Sequence, residues 1–341
     1  MERDCLGVGL IGAGRIGRLH AQNLAHRIPH ASLRALSDVN RKTLEACATE
    51  LPVPLATDDY RAVLEAPDVQ AVAICSSTDT HSQIIEEAAA AGKHIFCEKP
   101  IDCDLGRIDR ALEAVRKAGV TLQIGFNRRF DPSFRRAREV VADGGIGRPH
   151  LVRITSRDPQ PPPIEYVKVS GGIFLDMTIH DFDMARYLVG SEVDEIYAAG
   201  GVMVDPAIGE AGDIDTAMIT LRFANGAIGT IDNSRKATYG YDQRVEVFGS
   251  GGMVAAPNIP PHSTILSDGS GVHGPLPLFF FLERYADSYL AEMQEFVDSV
   301  RQGKAPSVGG EDGRIAVVMG YAARTSYQEN RPVRLAEVAQ A

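Results

Sequence analysis

The chain has 341 residues and a formal net charge of −10, and its 44% hydrophobic and 23% charged residues are typical of a globular protein. This length favours two domains or one large α/β unit, and the acidic balance without a basic stripe disfavours nucleic-acid binding. There is no apolar run of about 18 residues that would cross a membrane, and the charged first residues do not resemble a signal peptide. We therefore expect a cytoplasmic protein that binds neither nucleic acid nor membranes.

Cysteine usage favours reduced thiols over a disulfide framework. The five cysteines are Cys5, Cys47, Cys75, Cys97 and Cys103. Their number is odd and their spacing is irregular, which is typical of partly buried thiols in a reducing compartment. No Cys-x-x-Cys pair is present, so we expect no structural zinc site.

The first third of the chain alternates between short apolar runs and helical patterns. Such alternation is typical of βαβ units with a parallel sheet. The predicted strands are 6–11, 33–36, 69–75, 94–97 and 120–125, and the predicted helices are 16–25, 41–50, 82–91 and 104–118. We therefore predict a doubly wound parallel α/β domain over residues 1–124.

The rest of the chain has amphipathic strands joined by short turns. The predicted strands are 217–223, 227–232 and 244–248, and the predicted helices are 289–302 and 312–329. Asn225-Gly226 between two alternating runs is a strong hairpin signal, and the proline run 159–163 is expected to be a surface loop. We predict an α+β domain over residues 125–341 with a mainly antiparallel sheet.

Residues 12–17 read Gly-Ala-Gly-Arg-Ile-Gly, directly after a predicted strand and at the start of a predicted helix. In this context Gly12 permits a tight turn, Gly14 lets the backbone approach a pyrophosphate, and Gly17 lets the helix pack closely on the strand. The amino end of the helix attracts phosphate, so we expect the pyrophosphate of a dinucleotide on Gly14, Arg15 and Ile16. The motif predicts a Rossmann domain; the alternative is a glycine turn in another doubly wound protein.

Asp38 ends the second predicted strand, about 20 residues beyond the glycine motif, where a carboxylate can bind both ribose hydroxyls of NAD. The same charge repels the 2′-phosphate of NADP. Arg41 lies nearby and would favour NADP instead. Because Asp38 holds the position at the strand end, we predict NAD as the cofactor.

Two segments carry candidate catalytic residues. Lys99 follows a strand of the nucleotide domain, where ligands bind in open α/β sheets, although a solvated surface lysine is the plain alternative. Asp176 and His180 are four positions apart, so on a helix they would share one face. A carboxylate beside an imidazole favours a general base that removes a hydroxyl proton.

Two alternatives to the general base remain open for the second segment. Asp176, His180, Asp181 and Asp183 could bind a metal ion, although the last two would point to other faces of a helix. Asp176 and His180 could also form a purely structural pair.

Four segments together resemble one family. They are residues 12–17, Glu98-Lys99-Pro100, the run Gly-Phe-Asn-Arg-Arg-Phe-Asp-Pro at 125–132, and residues 171–183. Their order and spacing resemble those of the Gfo/Idh/MocA oxidoreductases over essentially the whole chain, and within that family the chain is most similar to the inositol 2-dehydrogenases.

The resemblance implies a Rossmann domain followed by a domain with a large open sheet, which serves substrate binding and homo-oligomerisation as a dimer or tetramer. It places the catalytic lysine on Lys99, the aspartate on Asp176 and the histidine on His180, and the paired arginines on Arg128 and Arg129. The implied cofactor-binding residues are Gly12, Gly14, Arg15, Ile16, Asp38, Ser76, Thr78, His81, Glu98, Lys99 and Asn127. The implied substrate-binding residues are Lys99, Arg129, Asp158, Asp176, His180 and Tyr239, with Tyr241 and Tyr285 as further candidates.

The implied activity is NAD-dependent oxidation of a secondary hydroxyl of a cyclic polyol, myo- or scyllo-inositol at the 2-position, to a ketone. His180 would be the base, with Lys99 and Asp176 assisting, and no metal is expected. Asp158 and the proline run after it could reshape the polyol pocket, so another inositol isomer or an aldose is also open. Further alternatives are an NAD-dependent glycosidase and a non-catalytic NAD-binding regulator.

Overall fold

The computed structural model describes residues 5–339, which divide into two compact units. The first unit runs to Asn127 and also contains Asp287–Ile315. The second unit consists of Arg128–Ala286 and the chain from Ala316 onward. The sequence instead predicts a division between residues 124 and 125, with residues 287–315 in the second domain.

The later segment joins the first unit through apolar packing. Met293, Phe296 and Val297 are fully buried in the same cluster as Leu10 and Phe96 of the parallel sheet. Burial of such side chains contributes about 1.5–3 kcal/mol each. A helical pattern alone does not reveal which sheet it packs against, so this association was not predictable from the sequence.

A six-stranded parallel sheet forms the centre of the first unit. Its strands are β1 (Leu6–Ile11), β2 (Ala31–Ser37), β3 (Leu55–Thr57), β4 (Ala71–Ile74), β5 (His94–Glu98) and β6 (Leu122–Gly125). They lie in the order β3-β2-β1-β4-β5-β6, and all neighbours pair in parallel. The order reverses between β1 and β4, and ligands of doubly wound sheets bind at the carboxyl ends of the strands at that point. The predicted Rossmann architecture is confirmed.

Five helices alternate with the strands of this sheet along the chain. They are α1 (Arg15–His26), α2 (Arg41–Glu50), α3 (Tyr60–Glu65), α4 (Thr78–Ala90) and α5 (Leu105–Ala118). Side-chain caps explain where three of them begin. Asn40 accepts the backbone N–H groups of Lys42 and Thr43 at α2, and Asp59 and Asp104 cap α3 and α5 in the same way. The short β3 and α3 were not predicted, because three strand residues give too little alternation to recognise.

The second unit contains a seven-stranded sheet. Its strands are β7 (Pro149–Arg157), β8 (Val193–Gly201), β9 (Thr216–Phe223), β10 (Ile228–Ser234), β11 (Asp242–Gly249), β12 (Gly252–Ala256) and β15 (Val333–Arg334), while β13 (Leu266–Asp268) and β14 (Gly271–His273) form a separate exposed hairpin. The order is β12-β11-β7-β10-β9-β8-β15, antiparallel except for β7 and β10. The predicted mainly antiparallel sheet and its β9–β10 hairpin are confirmed.

The remaining helices are α6 (Pro132–Ala142), α7 (Ile164–Val167), α8 (Ile173–Asp176), α9 (Ile179–Val189), α10 (Pro206–Glu210), α11 (Phe281–Arg284), α12 (Ala286–Gln302), α13 (Gly310–Glu329) and α14 (Leu335–Val338).

One face of the seven-stranded sheet is packed and the other is exposed. Helix α9 packs on β7, and α6 packs on β11 and β12. On the other face, Phe248, Leu151 and Ile228 are register partners across β11, β7 and β10, and each is more than a third exposed. Among residues 5–339, no helix combines the length and the apolar character needed to cross a bilayer.

Candidate active site

The glycine motif forms a tight turn at the carboxyl end of β1. Gly12 has a φ of +95°, and a Cβ there would lie 2.5 Å from the backbone nitrogen of Ser76. A Cβ on Gly17 would lie 1.8 Å from the carbonyl oxygen of Gly12, whereas a Cβ on Gly14 would meet no atom within 4 Å. The first and third glycines are therefore required by the fold, while the second borders open space beside the amino end of α1. These features fit a bound pyrophosphate.

Asp38 lies beside this turn. Its carboxylate accepts the backbone N–H of Ala13 at 2.7 Å and that of Asn40 at 2.7 Å. Arg41, the residue that would favour NADP, donates from Nε and Nη2 to Asp58 at 3.0 and 2.9 Å. With a carboxylate at the turn and the nearby arginine engaged elsewhere, the site favours a free 2′-hydroxyl over a 2′-phosphate.

The loops after β4 and β5 are joined by a buried histidine. The two ring nitrogens of His81 lie 2.8 Å from the carbonyl oxygen of Pro100 and 3.0 Å from that of Ser76. Ser76 also bonds through its hydroxyl to Thr80 at 2.7 Å, and Thr78 begins α4. Because both ring nitrogens of His81 face backbone carbonyls, its evident role is to hold the two loops together.

Glu98 ends β5 within a buried cluster. Its Oε1 lies 2.9 Å from Nε2 of His20, and Oε1 of Glu292 lies 3.8 Å from the same nitrogen. Burial, reinforced by the charge of Glu98, raises the pKa of Glu292 well above its usual range. The ligand atoms of these three residues lie within 4.8 Å of one another, which is close enough for a metal ion. A proton on Glu292 relieves the same charge repulsion without a cation.

Lys99 and Asn127 lie at the same edge of the first unit. Lys99 follows Glu98 directly after β5 and is half-buried, so it is not the fully solvated surface lysine of the alternative interpretation. Asn127 follows β6, is only 2% exposed, and begins a single turn of 3-10 helix that ends at Phe130. Since β1, β4, β5 and β6 are parallel neighbours, the residues after them share the edge that carries the glycine turn.

In the second unit, Asp176 and His180 lie on two successive short helices. Asp176 ends α8 and His180 is the second residue of α9, and Met177 and Thr178 lie between the two helices. The N–H of Thr178 donates to the carbonyl of Ile173 at 2.9 Å, one residue farther back than in a regular helix. The regular helical hydrogen bonding is therefore interrupted between the two residues, so the single regular helix on which they would share one face is not formed. Both side chains remain half-buried.

The paired arginines bind the other two acids of this segment. Arg128 donates to Asp181 at 2.5 Å, and Asn233 donates to the second oxygen of Asp181 at 2.8 Å. Arg129 donates from Nε and Nη2 to Asp183 at 2.9 and 2.5 Å. Asp181 and Asp183 are thus structural partners of buried guanidinium groups, which removes them from the metal-binding alternative. Arg129, predicted to bind substrate, is held within this ion pair.

Asp176 belongs to a cluster that the sequence analysis missed. Its two oxygens accept the Tyr166 hydroxyl at 2.8 Å and Nη1 of Arg235 at 3.0 Å. The carboxylates of Asp158 and Asp213 lie 4.0 and 3.9 Å from the same guanidinium. Burial, opposed by the charge of Arg235, raises the pKa of Asp158 to about 6.

These residues come from five separate segments, so no local sequence motif indicates the cluster. The parallel pairing of β7 and β10 would indicate part of the cluster once the sheet order is known. Its register matches Arg157 to Ser234 and so places the next residues, Asp158 and Arg235, at the same end of the two strands.

The tyrosine candidates are largely engaged. The Tyr239 hydroxyl donates to Asp242 at 2.6 Å and accepts from Arg157 at 2.9 Å. Tyr241 and Tyr285 are buried and pack edge to face, with ring centroids 6.0 Å apart. Tyr239 is partly exposed and keeps one lone pair, whereas the other two are core residues.

Comparison with known proteins supplies the context for this geometry. Residues 6–126 match the model of an oxidoreductase family with an NAD-binding Rossmann fold, and residues 134–255 match that of the GFO/IDH/MocA C-terminal domain. The chain belongs to the GFO/IDH/MocA oxidoreductase family. It is therefore an oxidoreductase whose Rossmann domain binds NAD, as the resemblance implied, and the glycine turn and Asp38 fit that cofactor.

Similar proteins cover the full length of the chain. The myo-inositol 2-dehydrogenase of Thermotoga maritima is 54% identical over 97% of this chain and 99% of that protein. The inositol 2-dehydrogenase of Rhizobium meliloti is 46% identical over 96% and 98%. A solved structure of scyllo-inositol dehydrogenase from Lactobacillus casei, with bound NAD(H) and scyllo-inositol, is 32% identical, covers 97% of this chain and 99% of that one, and has a TM-score of 0.92.

Proposed function

We propose that this protein oxidises a secondary hydroxyl of a cyclic polyol, myo- or scyllo-inositol at the 2-position, to a ketone. The observation that carries the proposal is the full-length similarity to inositol 2-dehydrogenases, at 54% identity for the protein of Thermotoga maritima. The carboxylates of Asp158 and Asp176 add support, because hydroxyl groups need hydrogen-bond acceptors.

The proposed chemistry assigns one task to each side chain. NAD, when bound, supplies the hydride acceptor. His180 accepts the hydroxyl proton, a role that typically contributes about 10²–10⁴-fold in rate. Lys99 donates a hydrogen bond to the same oxygen and stabilises its developing negative charge. Asp176, fixed by Tyr166 and Arg235, orients and stabilises the protonated imidazole of His180.

The other proposed substrate contacts come from side chains that can still accept hydrogen bonds. Asp158 is half-buried and accepts polyol hydroxyls when ionised, and the partly exposed Tyr239 lends its remaining lone pair. Arg129 contributes indirectly, through its ion pair with Asp183. Gly14, Arg15, Ile16, Asp38, Ser76, Thr78 and Asn127 are proposed to contact the cofactor, while His81 and Glu98 support that edge.

We further propose that the protein is a cytoplasmic homo-oligomer, a dimer or tetramer that pairs through the exposed sheet face. Phe248, Leu151 and Ile228 form an apolar row across three neighbouring strands of that face, with exposures of 45%, 37% and 43%. Contiguous exposed apolar surface of this kind marks interaction sites. Light scattering should give a dimeric or tetrameric mass that falls for Leu151→Glu; a monomeric wild type would contradict the proposal.

The activity is tested with a substrate panel. Purified protein is incubated with NAD or NADP and with myo-inositol, scyllo-inositol, other inositols or aldoses, and NADH is followed by its absorbance. Faster NADH formation with an inositol than with any aldose is expected. An aldose preference would move the assignment to a sugar dehydrogenase, and alcohol release from a glycoside without net NADH would move it to a glycosidase.

A further inference from the structure

Arg235 is a buried cation at the end of β10. Its backbone N–H donates to the carbonyl of Asp215 at 2.8 Å, and its side chain is only 2% exposed. Nε and Nη2 have no hydrogen-bond partner among the described residues. A buried guanidinium is costly unless negative charge surrounds it, so the groups around Arg235 explain its presence.

Three carboxylates supply that charge from separate parts of the second unit. Asp158 follows β7, Asp176 ends α8, and Asp213 precedes β9. Their oxygens lie 4.0, 3.0 and 3.9 Å from the guanidinium nitrogens. One arginine therefore faces three acids, and the cluster carries an excess of negative charge when all three are ionised.

Other charged groups act on the same acids. Arg128, from the turn after β6, and Asp181, from α9, face Asp158 with opposite effects on its charge. Tyr166, from α7, donates to Asp176. Asp213 also accepts the N–H of Ile173 at 3.0 Å, at the start of the helix that ends in Asp176. Arg235 is thus the one described cation in contact with all three carboxylates.

We propose that Arg235 is a positioning residue that holds the carboxylates of Asp158 and Asp176 in place as hydrogen-bond acceptors, so that the site takes a neutral polyhydroxylated ring and rejects an anionic one. This inference rests on the proposed polyol oxidation and names its substrate class more closely. An ionised carboxylate accepts hydroxyl hydrogens and cannot donate. A phosphate or carboxylate on the ring would meet the excess negative charge, which disfavours it.

The burial of Asp158 makes this arrangement sensitive to Arg235. The pKa of Asp158 is already raised to about 6, and Arg235 is the strongest influence that lowers it. Loss of an adjacent opposite charge typically raises a carboxyl pKa by about 1–3 units. Without Arg235, Asp158 would therefore be protonated near neutral pH and would lose its function as an acceptor.

Two variants separate this role from a purely structural one. Arg235→Gln removes the charge and should move the acid limb of the kcat/KM profile for inositol upward by about one pH unit or more. The KM for inositol should rise about ten- to a hundredfold, the loss expected for one hydrogen bond to a charged group, while the NAD dissociation constant measured by calorimetry stays within about twofold of wild type. Arg235→Lys keeps the charge, so its acid limb should stay near that of wild type.

Arg284→Gln provides a matched control. Arg284 is also a buried arginine with a side chain 2% exposed, and it forms an ion pair with Asp131. Its substitution should lower the unfolding temperature without moving the acid limb. An unmoved limb in Arg235→Gln, or equal shifts in the Gln, Lys and control variants, would overturn the proposal.

Two further assays distinguish failure of this proposal from failure of the proposed function. If Arg235→Gln does not fold, Asp158→Asn is assayed, with a ten- to a hundredfold rise in the KM for inositol expected and an unchanged KM counting against the proposal. An inositol monophosphate should be oxidised far more slowly than inositol by wild type; equal rates would refute the predicted selectivity. Wild type that oxidises no inositol would instead refute the proposed function itself.

Discussion

Replacing Asp38 with asparagine tests how the chain selects NAD. The carboxylate holds two backbone N–H groups at 2.7 Å each, those of Ala13 and Asn40, while an asparagine offers one acceptor oxygen. Loss of a hydrogen bond to a charged group costs about 1.5–3 kcal/mol, so NAD binding should weaken about ten- to a hundredfold as the turn loosens.

The same substitution should favour NADP. Two like unit charges about 4 Å apart repel by about 4 kcal/mol near a protein surface, and the asparagine removes one of them. The ratio of NADP to NAD affinity should therefore rise by at least about two orders of magnitude.

Calorimetric titration of both cofactors measures this ratio without turnover. Asp68→Asn is the matched control, since Asp68 precedes β4 and so lies at the opposite, amino-terminal edge of the sheet. Its ratio should equal that of wild type. If Asp38→Asn leaves the ratio unchanged, or if the control shifts equally, the assignment of Asp38 to the adenosine ribose is wrong.

Three other substitutions test separate parts of the account. His180→Ala should lower kcat by about 10²–10⁴-fold with the NAD dissociation constant nearly unchanged, and an equal kcat would refute its role as base. The pKa of Glu292 is higher in the folded protein than in the unfolded chain. The free energy of unfolding of wild type therefore falls by up to about 1.4 kcal/mol for each pH unit above the unfolded pKa of about 4.3. The unfolding temperature of Glu292→Gln should therefore rise relative to that of wild type as the pH increases from about 5 to about 7. A difference between the two unfolding temperatures that does not change with pH would show that Glu292 is not protonated. Asp183→Asn removes the negative charge of a buried ion-pair partner of Arg129, so the free energy of unfolding should fall by about 3–5 kcal/mol in denaturant titrations; a loss below about 1 kcal/mol would contradict a stabilising role for that ion pair.

The Rossmann unit was predictable because its signals are local. The strand, turn and helix of the glycine motif lie within one short stretch of chain, and Asp38 follows at a spacing that is typical of the fold. The hairpin of β9 and β10 was predictable for the same reason, since Asn225-Gly226 and two alternating runs determine it.

What the sequence did not reveal depends on contacts between distant segments. Arg235 lies near Asp158 because β7 and β10 are parallel neighbours, and the ion pairs of Arg128 and Arg129 join residues more than 50 positions apart. The helix break between Asp176 and His180 is equally invisible in a list of residue types. Such features follow from tertiary packing, which residue spacing does not encode.

The central claim is that Lys99 and His180 act on one substrate oxygen. A crystal structure of the protein with NADH and inositol tests it most directly. We expect one ring hydroxyl within about 2.6–3.2 Å of both Lys99 Nζ and a ring nitrogen of His180. A bound inositol whose hydroxyls contact neither group, or contact them through different oxygens, would contradict it.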